Sequence, residues 1–142
     1  MFTQYDEYQR LMRYKNGYYA FHLLNILLFL NMFVTNIMEV QWAQDQWVEF
    51  SFIIAIPIMF MNIRNTWQGS YLNRNEKPSI ANTISLIMGL AYFWLATRGN
   101  YTLMQDGLLT LQAPQILFGL VWISTPLTYY GKYFVDKFSN EK

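Results

Sequence analysis

Four stretches of this chain, each roughly 20 residues long, contain almost no charged side chains, and they constrain the fold more than any other feature. They cover residues 18–38, 47–63, 79–97 and 113–130. A helix needs about 20 mostly apolar residues to cross the hydrocarbon core of a bilayer. A soluble helix needs a charged face, which the last three stretches do not provide. The sequence therefore predicts an all-α integral membrane protein, folded as a four-helix bundle in a single domain over residues 1–142.

The basic residues are distributed unevenly among the segments that connect these stretches. Of the ten Lys and Arg residues, nine precede the first stretch, separate the second from the third, or follow the fourth. Only Arg98 lies in the other two loops. Because cytoplasmic loops carry the excess of Lys and Arg, this pattern predicts a multi-pass protein of the cell (inner) membrane with both termini in the cytoplasm. The nine residues are Arg10, Arg13, Lys15, Arg64, Arg74, Lys77, Lys132, Lys137 and Lys142.

Residues 1–17 combine charged side chains with regularly spaced apolar ones. Phe2, Tyr5, Tyr8, Leu11 and Met12 recur at helical spacing. This spacing favours a short N-terminal juxtamembrane helix that lies at the cytoplasmic surface. The alternative interpretation is a frayed polar end.

Polar side chains inside the predicted spans are costly in hydrocarbon, so they are the candidate ligand residues. At about 100° per residue, His22, Asn25, Asn36 and Glu39 fall on one side of the first span, and Asn31 falls opposite. Such a stripe is expected to face protein or water. It indicates either the lining of a polar pathway or ligand cavity, or hydrogen bonds between helices, and we favour the second interpretation.

Two carboxylates flank the predicted outer loop of the first hairpin. Glu39 ends the first span and Glu49 begins the second. Such a pair could bind a cation or share a proton, although solvated carboxylates are the interpretation we favour. Arg98 is the nearby basic residue in the outer loops, so it is predicted to form an outer ion pair with Glu39 or Glu49.

Small and polar residues in the last two spans are typical of helix packing. Asn82, Ser85 and Gly89 share one face of the third span, and Gly119 lies in the fourth. In membranes such residues let helix backbones approach closely. We interpret them as packing positions.

Composition excludes several kinds of chemistry. The chain has no Cys and one His, and its net charge is +1. It therefore has no thiolate or multi-histidine metal site and no general attraction for nucleic acid. No phosphate-binding glycine loop or other catalytic signature occurs. We expect no catalytic residue, cofactor or metal.

The N-terminal region contains an acidic–basic run followed by an Ala-Phe pair, formed by Asp6, Glu7, Arg10, Arg13, Lys15, Ala20 and Phe21. In this pattern it resembles the N-terminal region of small, largely uncharacterised four-span bacterial membrane proteins. In those proteins an acidic–basic run leads through a Lys and an Ala into the first helix, and Tyr8 stands where an Arg is usual. The resemblance implies a four-span inner-membrane protein, similar to those of Gram-positive bacteria.

Packing surfaces without a catalytic set favour a non-enzymatic membrane protein that is a partner or accessory subunit of itself or of a larger membrane complex. Its partners would be the lipid bilayer and a second copy or another membrane protein. One alternative is an immunity or resistance protein against a membrane-active peptide. Another is a small transporter or channel working as an oligomer, with Asn25, Asn36 or Glu39 lining the path. An intramembrane enzyme is the last alternative.

Overall fold

Four long helices make up most of the described chain. The computed structural model describes residues 5–73, 76–98 and 102–140, so that Arg74 and Lys142 lie outside the described residues. A π-helical turn, Phe33–Ile37, extends the first helix, and two short strands form a hairpin between the last two. The elements are α1 (Glu7–Met32), α2 (Gln46–Trp67), α3 (Pro78–Arg98), β1 (Met104–Gln105), β2 (Leu108–Leu109) and α4 (Gln112–Asn140). The all-α prediction is confirmed, apart from this small hairpin.

Three of these helices are long and apolar enough to cross a membrane, which supports the prediction of a membrane protein. They are Glu7–Ile37, Gln46–Trp67 and Pro78–Arg98. The described residues of α4 contain no equally apolar stretch.

The first helix is longer than predicted. Asp6 caps it by accepting a hydrogen bond from the Gln9 backbone N–H at 2.7 Å, and Glu7 adds an acidic residue to its first turn. The helix then continues through Gly17 into the first apolar stretch. The prediction of a separate juxtamembrane helix is therefore wrong. A single glycine costs a helix only about 1 kcal/mol relative to alanine, and no proline interrupts this segment.

The second helix has a clear signal at each end. The Asp45 side chain accepts a hydrogen bond from the Trp47 N–H at the start. At the end, Gly69 adopts a left-handed φ of 70°, and the Ser70 N–H bonds back to the Asn65 carbonyl at 2.8 Å. This is the Schellman pattern that ends helices at glycine.

The connection between α3 and α4 contains a tight hairpin that is hydrogen-bonded to the α1–α2 loop. Asp106 and Gly107 occupy the turn with φ of 52° and 81°, as expected of an Asp-Gly two-residue turn. The Leu109 N–H donates to the Trp42 carbonyl at 3.0 Å, and the Gln44 N–H donates to the Leu109 carbonyl at 2.9 Å. The α1–α2 loop is therefore attached to the hairpin.

The helices pack in the order α1, α2, α4, α3. α2 contacts both α1 and α4, and α3 packs on the other side of α4. The small core of Ala55, Leu117 and Val121 lies between α2 and α4. α1 is at an edge: only 6% of its most apolar segment is buried inside the protein, against 33% for α2. We call the end that carries the β-hairpin the hairpin end, and the opposite end, where α2 ends and α3 begins, the basic end.

Candidate functional site

A polar cluster joins α1 to α2 near the hairpin end. The Asn31 side chain donates a hydrogen bond from Nδ2 to Glu49 Oε2 at 2.9 Å. Its Oδ1 accepts a hydrogen bond from Trp42 Nε1 at 2.8 Å. The Asp45 cap begins α2 and so places Glu49 in the first helical turn, where a carboxylate is favourable. One amide therefore connects α1, the following loop and α2.

A cleft of about 420 Å³ opens beside this cluster, between α1 and α2. Asn25 and Asn31 line it from α1 and Asn36 lines it from the π turn, while Gln46 and Glu49 line it from α2. Three of the residues predicted as ligands, Asn25, Asn36 and Glu49, are thus brought to one cleft. Asn36 is exposed, and the Asn25 amide donates a hydrogen bond within its own helix, to the Phe21 carbonyl at 2.8 Å.

The π turn explains why Asn31 shares this cleft with Asn36. A π turn closes hydrogen bonds from residue i to i+5 and so takes more residues per turn than an α-helix. Over Phe33–Ile37 each residue therefore advances the rotation by less than the α-helical step. Asn36 is turned back toward the side that carries Asn31, which an ideal helix would place elsewhere.

Glu39 lines an adjoining cavity of about 440 Å³ rather than the cleft itself. Glu49 lines this cavity as well, so the two carboxylates share one space. The Glu39 backbone has a left-handed φ of 54°, which ends the π turn. Among the described residues no three His, Cys, Asp or Glu side chains are grouped closely enough to hold a metal ion.

Two predicted site residues lie away from the cleft. His22 is exposed, and its ring lies 4.3 Å from the ring of Tyr18. Arg98, predicted to pair with Glu39 or Glu49, instead stacks over the Trp94 ring at 4.1 Å. The correction follows from the helix order, because α3 lies at the opposite edge of the row from α1 and α4 separates it from α2.

The predicted packing residues lie inside the protein, in α3 and α4. Asn82, Ser85 and Gly89 are buried. A Cβ atom on Gly89 would lie 3.1 Å from the Gly119 carbonyl oxygen, and one on Gly119 would lie 3.3 Å from the Gly89 oxygen. The two glycines thus face each other across the α3–α4 contact.

A second polar cluster, missed by the sequence analysis, holds α1 at the basic end. The buried Asn16 amide donates to Asn65 Oδ1 at 2.8 Å and to Gln68 Oε1 at 2.7 Å. Gln9 donates to the carbonyls of Gly69 and Leu72 at 3.0 and 3.2 Å. Asn16 precedes the apolar stretch and looks like an ordinary surface residue in sequence. Its role depends on α1 being one continuous helix, which brings it beside the end of α2.

Comparison with protein-family models, with curated proteins and with solved structures finds no match to this chain. The functional argument therefore depends on the geometry of the molecule itself.

Proposed function

We propose that this chain is a non-enzymatic, multi-pass protein of the cell membrane that acts as an accessory subunit and associates through the face formed by α1 and α2. One observation carries the proposal: the cleft between α1 and α2 is lined by Asn25, Asn36 and Glu49, and the Asn36 side chain is exposed there. Polar groups that face hydrocarbon without partners cost several kcal/mol each by order of magnitude. A partner helix that covers the cleft removes this cost.

The topology that accompanies this proposal has four spans and both termini in the cytoplasm. α4 serves as the fourth span although it is more polar, because it packs between α2 and α3 and meets less lipid. Its hydroxyls bond within the helix: Ser124 donates to the Val121 carbonyl at 2.7 Å, and Thr128 donates to the Ser124 carbonyl at 2.7 Å. The positive-inside rule then assigns the basic end to the cytoplasm.

A second copy of this chain suits the cleft chemically. The asparagine amide both donates and accepts hydrogen bonds, so a surface that presents Asn25 and Asn36 is complementary to itself. Two-fold symmetric dimers require such self-complementary surfaces. The proposal therefore commits to a homodimer through α1, and capture of a different membrane protein on the same face would assign the accessory role to a larger complex.

Site-directed crosslinking tests the association directly, because the chain contains no cysteine. Asn36→Cys is expected to give a crosslinked dimer in native membranes. Ile87→Cys is the matched control, since Ile87 is 60% exposed on α3 at the other edge of the helix row. Crosslinking at both positions or at neither would contradict an interface on the α1–α2 face.

Leucine substitutions separate an interface from a lipid-facing surface. If the cleft meets only lipid, Asn36→Leu removes a polar group from hydrocarbon and leaves the chain monomeric as before. If the cleft forms the interface, the association constant of the dimer falls by about threefold for each hydrogen bond lost. Energy transfer between labelled copies in micelles measures the association constant of the wild type and of Asn36→Leu. Equal constants for the two proteins would refute the interface.

The same cleft supports one second candidate, a small transporter or channel completed by a second copy. The specific observation is that amides and Glu49 line a space of about 420 Å³, large enough for a small polar solute. Water-soluble thiol reagents should then label Asn25→Cys and Asn36→Cys in intact membranes. Protection of both positions would favour the closed interface of an accessory subunit.

A further inference from the structure

A second cavity lies at the basic end, outside the α1–α2 cleft. It has a volume of about 300 Å³ and is formed by the end of α2, the turn that follows, the start of α3 and the last third of α4. Buried Thr66 and Asn82 lie at its floor, and half-buried Lys132 and Tyr129 form one wall. Asp136 is exposed at the rim.

The floor of this cavity carries two polar atoms without a hydrogen-bond partner. Thr66 is 6% exposed and Asn82 is 1% exposed. Within the described part of the chain, neither Thr66 Oγ1 nor Asn82 Nδ2 bonds to another protein atom. Buried polar groups are almost always satisfied, so two such atoms in one cavity point to a bound molecule.

The donors around the cavity indicate what that molecule offers. Asn82 Nδ2 can only donate, the Thr66 hydroxyl can donate, and the Lys132 ammonium supplies up to three donors and a positive charge. Lys132 Nζ lies over the turn at Gly69, where a Cβ atom would be 3.9 Å away. Donors and one cation converging on a partly buried space favour an oxyanion. Asp136 at the rim disfavours a highly charged polyanion.

We propose that this cavity binds a phosphate ester, carried on the headgroup of a membrane phospholipid. The phosphate would accept hydrogen bonds from Thr66 and Asn82 and pair with Lys132. The cavity lies where the apolar helices end, and Tyr71, Tyr129 and Tyr133 surround it. Tyrosines prefer the depth of the headgroups, which favours a lipid over a soluble phosphate as the source.

Lipid retention by the full chain tests this proposal. The protein is delipidated in detergent, and native mass spectrometry follows binding of added phosphatidylglycerol or of diacylglycerol with the same acyl chains. The wild type is expected to retain phosphatidylglycerol preferentially. Lys132→Gln should weaken that retention about tenfold, as expected for a lost charge-assisted hydrogen bond. Lys137→Gln is the matched control, because it removes the same charge from the same helix outside the cavity.

Two further variants keep the test independent of folding. Thr66→Val and Asn82→Leu preserve side-chain size while removing the unpartnered atoms, so thermal unfolding should be no easier than in the wild type and retention should fall. Displacement of the lipid by inorganic phosphate would assign the same site to a soluble phosphate. If the wild type retains both lipids equally, or if Lys137→Gln weakens retention as much as Lys132→Gln, the cavity holds water only and the proposal is overturned.

Discussion

Replacing Gly89 by alanine tests how closely α3 and α4 must approach. A Cβ atom at Gly89 would clash with the Ile123 side chain and lie 3.1 Å from the Gly119 carbonyl oxygen. The oxygen belongs to the backbone of a packed helix and cannot move independently. Ile123 is branched at Cβ, so its side chain has few alternative rotamers in a helix. Gly89→Ala must therefore push the two helices apart or strain the isoleucine.

Gly17 provides a matched control for the same substitution. It also lies inside a helix, but a Cβ atom there would meet nothing within 4 Å. Alanine is favoured over glycine in a helix interior by about 1 kcal/mol, and this gain applies at both positions. Overpacking costs about 1–3 kcal/mol and applies only at Gly89. The free energies of unfolding of the two variants should therefore differ by about 1–3 kcal/mol, with Gly17→Ala above the wild type.

Reversible unfolding in mixed micelles, followed by helical circular dichroism during titration with SDS, measures this difference. Adding Ile123→Ala to Gly89→Ala removes the clashing atoms, so the double variant should lose less stability than the two single changes together. Equal stabilities for Gly17→Ala and Gly89→Ala would refute the steric argument and with it the close α3–α4 contact.

Three further substitutions test the polar clusters and the hairpin. Asn16→Ala should lower the free energy of unfolding by about 1–3 kcal/mol and speed hydrogen exchange in α1. Asn25→Ala is the control, because it removes a bond within its own helix, and it should have a smaller effect in both measurements. Asn31→Leu breaks the bonds to Trp42 and Glu49 and should lower the free energy of unfolding by about 1 kcal/mol, so an unchanged value would contradict the connecting role of this amide. Gly107→Ala places a Cβ atom at a φ of 81° and should destabilise the turn by about 1–2 kcal/mol. A protease should therefore cleave this variant faster at the hairpin, whereas it should cleave Gly107→Asn at nearly the wild-type rate.

The positions of the helices could be predicted from sequence because each one contains a long apolar stretch. Each predicted window lies within an observed helix or its π extension, except for Met38 at the end of the first. The interpretation of Gly89 and Gly119 as packing positions follows from a similarly local rule, since small residues permit close approach wherever two helices cross. Neither inference needs knowledge of the other helices.

The polar cluster at the hairpin end could not be predicted in the same way. Assigning Asn31 to the side opposite Asn36 assumes an uninterrupted α-helical rotation, and the π turn at Phe33–Ile37 breaks that assumption. No residue type or spacing in this segment predicts a π turn. Arg98 was assigned to Glu39 or Glu49 on shared depth alone, and depth does not specify which helices are neighbours. The hairpin, by contrast, had a usable signal in Asp106-Gly107.

The attachment of α1 depends on its two polar clusters rather than on burial. In lipid an apolar helix surface gains little by leaving the hydrocarbon, so hydrogen bonds and close packing decide which helices stay together. α1 exposes Phe21, Ile26 and Phe29 and buries few side chains. Asn16 therefore fixes it to α2 at one end and Asn31 at the other, about 22 Å apart at the rise of an α-helix. Two fixed points set both the height and the rotation of α1, and that rotation is what brings Asn25 and Asn36 to the cleft. A partner that binds the cleft would contact a surface whose position depends on both clusters. Weakening the Asn16 cluster, whose residues do not line the cleft, should therefore impair association without removing any residue that the partner touches.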